Sequence, residues 1–165
     1  MALVLLASGA ALAAPDASSV CVGKDGVRAV VSIDYDVRET DYDLNAAKLV
    51  VVYPASVSLP GTGSADTVRQ RVSALQGKQP GDVRVVAHDA DAAGARDLYL
   101  VVASFADTPS EFNDGVRPGD TAAVQFDCTD GARIAADDFT CRVESSNDIH
   151  SNPLAITCTV RVAKQ

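Results

Sequence analysis

The chain has 165 residues, 22 acidic against 14 basic side chains for a formal charge of −8, and 47% hydrophobic residues with no tryptophan. A surplus of carboxylates disfavours nucleic acid and anionic membranes as partners, because both demand clustered cations. Lys and Arg occur singly here, with no interleaved aromatics to stack unpaired bases, and the length suits one domain with a core of its own.

Met1 to Ala14 is apolar, has no ionisable side chain and ends in small residues. Ala11-Leu12-Ala13 has the small-x-small form of a secretory cleavage site, so residues 1–13 read as a signal peptide, 14–26 as an N-terminal segment and 27–165 as a single domain. The run is shorter than the roughly 20 residues that span a bilayer, and no transmembrane segment is expected. Export, to the extracellular space or a periplasm, would place the cysteines Cys21, Cys128, Cys141 and Cys158 in an oxidising compartment, where disulfides persist.

Downstream, short runs of alternating apolar and polar residues, rich in β-branched side chains, are separated by turn residues, which is the pattern of a mostly β chain. Val27 to Tyr35 is the first strand, with Val27, Ala29, Val31, Ile33 and Tyr35 on one face. Asp34, Asp36, Asp41 and Asp43 bracket the turn after it and read as a solvated acidic loop. Leu49 to Tyr53 follows, buried on both faces and ended by Pro54, which has no N–H for a ladder. Gly61-Thr-Gly63 is too short for a phosphate loop and reads as a turn.

Ser64 to Leu75 fits two descriptions. Val68, Val72 and Leu75 suit a short amphipathic helix capped by Ser64, while Arg69 and Arg71 among β-branched neighbours suit an irregular edge strand. Val83 to Ala87 and Leu98 to Phe105 form a hairpin around the loop His88 to Gly94. Arg117-Pro-Gly-Asp120 is a turn leading into Thr121 to Cys128. In this strand and the last two, the thiol shares a face with large apolar residues: Val124, Phe126 and Cys128; Phe139, Cys141 and Val143; Ile156, Cys158 and Val160. Thiols in such settings point to structural disulfides instead of metal ligands or a nucleophile. Cys141 can pair with Cys128 or Cys158 in successive hairpins, leaving Cys21 to reach the other. About eight or nine strands in one domain imply an all-β, two-sheet sandwich of jelly-roll or Greek-key form.

The landmarks Ala47-Lys-Leu-Val-Val-Val-Tyr53-Pro54, Leu98 to Ser104, Gly119-Asp-Thr-Ala-Ala-Val-Gln-Phe126, Phe139-Thr-Cys141 and Cys158-Thr-Val-Arg-Val162 resemble, in order, the strands of cohesin-like domains of exported bacterial proteins. The first lacks the Asp of that family's Leu-x-Tyr-Asp-Pro element. The resemblance implies a jelly-roll sandwich, related in shape to carbohydrate-binding modules, that binds a partner module through one sheet face. It assigns no contact residue.

Asp89, Asp91 and Asp97 stand at positions one, three and nine of a segment that partly imitates a calcium loop, with Gly94 at six. Ala93 at five and Leu100 at twelve break the imitation, so an ordinary hairpin loop is the competing reading. Apart from that calcium, no cofactor is expected. Asp127, between Phe126 and Cys128, faces outward by alternation and reads as an exposed strand residue instead of an acid for glycoside hydrolysis. His88 and His150 both read as turn residues, and no Gly-x-Ser-x-Gly elbow accompanies them. Of the tyrosines, only Tyr42, in a polar loop, is expected at the surface, where it would be a candidate binding residue. The resulting expectation is a non-catalytic binding module for another protein module, with a polysaccharide as the alternative ligand.

Overall fold

A computed structural model describes residues 19–21, 26–37, 44–75, 83–90, 96–103, 116–148 and 150–163. Tyr42 and Asp91, with Asp41 and Asp43, lie outside the described residues. Within them the chain forms β1 (Ser19–Val20), β2 (Val27–Asp34), β3 (Leu44–Val52), β4 (Val57–Ser58), α1 (Asp66–Arg69), β5 (Val72–Ala74), β6 (Val83–Ala90), β7 (Arg96–Ala103), β8 (Gly119–Cys128), β9 (Arg133–Ile134), β10 (Thr140–Asp148) and β11 (Thr157–Ala163). The excess over eight or nine strands comes from the two- and three-residue pieces β1, β4, β5 and β9.

All pairings are antiparallel and build two main sheets, β10-β3-β7-β6 and β11-β2-β8-β4, with β5 also on β8. β1 and β9 form a separate two-residue ladder. The expected all-β sandwich is therefore present. The ambiguous segment contains both forms in succession, since α1 gives way to β5. Ser64 does not cap α1; Ala65 holds that position without a side-chain bond.

Alternation sets what lies between the sheets. Val27, Ala29, Val31 and Ile33 of β2, Leu49 and Val51 of β3, Leu98, Leu100 and Val102 of β7, and Ala122, Val124 and Phe126 of β8 make the core. Tyr53, Phe126 and Phe139 line up through it, with ring centroids 5.0 and 5.6 Å apart, a spacing at which tilted aromatic pairs attract. Tyr35 closes one end of the sandwich, donating its hydroxyl hydrogen to Val116 O at 2.7 Å and accepting from Leu44 N at 3.3 Å.

Four irregularities shift the registers, near Val86 in β6, Thr121 in β8, Glu144 in β10 and Asn45 in β3. The first has the largest consequence. Without an extra residue after inward-facing Val85, His88 would face solvent; the bulge changes the phase and turns it inward. His88 is thus a core residue of β6, 3% exposed, where the sequence suggested a turn.

Asp148, at the end of β10, organises the turn to β11. It accepts from the backbone N–H of His150 at 2.9 Å and of Asn152 at 2.8 Å, and from the Asn152 amide at 3.2 Å. Desolvation works to raise its pKa, but the bonds from Asn152 and His150 outweigh it and hold the carboxyl below the usual range. A carboxyl depressed in the fold stabilises it above the unfolded-state pKa of about 3.9, and that contribution is lost as pH falls through the folded value. Protection of the His150 and Asn152 amides, taken relative to the intrinsic exchange rate at each pH, should therefore fall on acidification below about pH 4, before β2 and β8 lose protection. Asp148→Ala should show the faster exchange already at neutral pH; an unchanged rate would remove Asp148 from this role.

Candidate binding face

The four cysteines form two bridges, Cys21–Cys128 and Cys141–Cys158, with Cα atoms 6.2 and 5.5 Å apart. Of the two arrangements left open by the sequence, Cys141 takes Cys158. Cys141 is on β10 and Cys158 on β11, the edge strands of opposite sheets, so this bond clasps one side of the sandwich. Cys21–Cys128 anchors the N-terminal segment to the end of β8. Cys21 is 3% exposed, whereas the other three are only partly buried against the core.

His88 and Tyr53 meet between the sheets. Nδ1 of His88 lies 2.6 Å from Gly61 O, and because a carbonyl only accepts, Nδ1 carries the hydrogen. Nε2 then accepts from the Tyr53 hydroxyl at 2.5 Å. Burial pushes the Tyr53 phenol up, with Asp97 and Asp89 adding and Arg96 opposing, so it stays protonated and able to donate. Gly63 N also donates to His88 O at 2.8 Å, which covers part of the free edge of β6. Gly61 is at φ +90°, and a Cβ there would come within 2.6 Å of Thr67 Oγ1, so glycine is required at this turn. Every polar atom of the His–Tyr pair faces a protein partner, and the arrangement pins a loop without presenting a nucleophile or base.

Asp89 and Asp97 are directly opposite each other on β6 and β7 and both face outward. Asp97 is already engaged, accepting from Tyr99 OH at 3.3 Å and lying 3.9 Å from Arg142. Among the described residues, no three His, Cys, Asp or Glu side chains converge as a metal site. Asp34 and Asp36 are exposed. Asp127 faces outward as expected, 2.9 Å from Arg71. His150 lies in a turn, as the sequence suggested.

Tyr42 is not the sole candidate surface tyrosine. Tyr99 alternates out of phase with core residues Leu98 and Leu100 and lies half-buried on the outer face of the four-stranded sheet. Its row runs Arg142, Val50, Tyr99, Ala87 across β10, β3, β7 and β6. Arg142 reaches across β3 toward Asp97, and it also lies 3.6 Å from Glu144. That crossing accounts for Val50, which faces outward and is nonetheless fully buried. Lys48 sits 2.6 Å from Glu144, with its ammonium 5.4 Å from the Tyr99 ring centroid. The result is a sheet face on which half-buried Tyr99 is framed by charges of both signs. On the other sheet's outer face Ser32 and Arg161 both donate to Asp120, and the Arg161 and Ser32 bonds hold that carboxyl below its usual range.

Among the described residues no helix is long and apolar enough to cross a membrane. No protein-family model matches the chain, and comparisons with curated proteins and with solved structures find no match.

Proposed function

We propose that the protein is a secreted, non-catalytic binding module, cohesin-like in form, that recognises another protein module in an extracellular or envelope assembly through the outer face of β10-β3-β7-β6. The carrying observation is Tyr99, an outward aromatic held in place by Asp97 and Lys48 within a charge-framed sheet face. Aromatic side chains fixed before binding contribute large contact area at small entropic cost. Apart from the β6–β7 hairpin and the β4–β5 connection, which stay within one sheet, successive strands of the two main sheets alternate between them, which supports a jelly-roll reading. Two disulfides support export to an oxidising compartment.

A polysaccharide is the alternative ligand. Tyr99 favours it in part, because sugars stack on tyrosine. The Lys48 ammonium over the ring competes with such stacking, however, and the surrounding ion pairs suit a protein surface better. Immobilised protein, presented with secreted proteins of its native host and with insoluble polysaccharides, distinguishes the two. A protein partner should be retained and its binding weakened at least about tenfold by Tyr99→Ser, the loss of one anchor residue, with thermal stability preserved. Retention on polysaccharide that disappears in Tyr99→Ser would establish the glycan reading instead.

A further inference from the structure

We propose that this face also pairs with the same face of a second copy of the chain, an inference that rests on the binding role given to the sheet above. The charges on it are sorted by row. At one end, Asp89 and Asp97 oppose each other on neighbouring strands, and Lys48 and Arg84 flank Val101 at the other end. Tyr99 lies in the row between. Like charges directly opposite in a sheet repel; Arg142 partly offsets Asp97, so a cation supplied from outside acts chiefly on Asp89.

A two-fold axis in the plane of contact and perpendicular to the strands reverses strand direction. It lays the acidic row of each copy on the basic row of the other, setting Asp89 against Arg84, and brings the two Tyr99 rings together at the axis. The same surface thereby serves both partners, as an isologous contact requires. The face carries Lys48, Arg84 and Arg142 against Asp89, Asp97 and Glu144, so it is neutral although the chain carries −8. Repulsion from the remaining charge is largely screened beyond about 8 Å in physiological salt. Val86, 45% exposed at the β6 bulge, adds apolar contact at the rim. Four strands spaced about 4.8 Å apart, at about 3.3 Å per residue along each, give a footprint of roughly 400–500 Å² per copy. That is below the ~800 Å² per partner of a standard interface, so the dimer is weak.

The test is sedimentation equilibrium from about 10 µM to about 1 mM, where so small an interface associates. Wild type should dimerise within this range. Asp89→Lys alone and Arg84→Glu alone should each weaken dimerisation about tenfold, and an equimolar mixture should restore it, because both cross-copy pairs regain opposite charge. Both substitutions are at exposed positions, and far-UV circular dichroism confirms that the variants fold. As an independent readout on wild type, the Tyr99 and Val101 amide resonances should shift with protein concentration. A wild type that stays monomeric, variants that dimerise normally, or a mixture that is not restored overturns the pairing. A monomeric wild type leaves the binding role to be decided separately by the Tyr99→Ser retention experiment.

Discussion

His88→Ala should lower unfolding free energy by about 3 kcal/mol, an unusually large effect for a side chain outside the aliphatic core. The substitution removes the acceptor of the buried Tyr53 hydroxyl and opens a cavity beside it. It also removes the donor to Gly61 O, but Gly61 is exposed, so water can replace that bond and the deficit falls on Tyr53. For a chain of this size the melting temperature should fall by about 10 °C. His88→Phe should recover the packing but not the hydrogen bond and lose about half as much. Tyr53→Phe should cost about 1–2 kcal/mol by stranding Nε2 without a donor. In the double variant the two losses should fall short of their sum by about 1 kcal/mol, the signature of a shared bond. Strict additivity in denaturant melts would show that His88 and Tyr53 act independently.

That pair also marks where local sequence stops specifying the structure. Alternation identifies the inward residues of β2 and β8 because those strands keep one phase through their centres. It misplaces His88 because a bulge at Val86 changes phase within β6, and no residue near Val86 announces it. The residues that bury the imidazole come from Tyr53 and Gly61, distant in the chain. Val50 differs, because a Val-rich run buried on both faces already implies its burial; what local sequence does not show is that Arg142 reaches across β3 to Asp97. Tyr99 is different. With Leu98, Leu100 and Val102 committed to the core, its outward placement follows from alternation alone. Which thiol Cys141 meets is decided by the placement of β10 and β11 at matching edges of opposite sheets, a property of topology that local patterns do not contain.

The two bridges should differ in what they stabilise. Cys21–Cys128 closes a separation of 107 residues and Cys141–Cys158 one of 17. Loop-closure entropy lost from the unfolded chain then assigns about 4.8 kcal/mol to the first and about 3.1 kcal/mol to the second. Replacing Cys21 and Cys128 by Ser should accordingly lower the urea midpoint more than replacing Cys141 and Cys158. The folded state favours the same order, because Cys21 is in the core and its backbone bonds Ala132 O and Gly131 N whether or not the sulfurs are joined. Little native freedom is regained when that bridge is cut, so the unfolded-state term should appear nearly in full. Cutting Cys141–Cys158 should act differently. β10 and β11 share no ladder across the sheet edges, and without the clasp they can separate locally while β2 and β3 hold the remaining strands. The expected signs are a smaller midpoint shift together with accelerated amide exchange confined to β10 and β11. If the Cys141–Cys158 variant is the less stable of the two, the clasp stabilises the folded sandwich directly and chain entropy is the minor contribution.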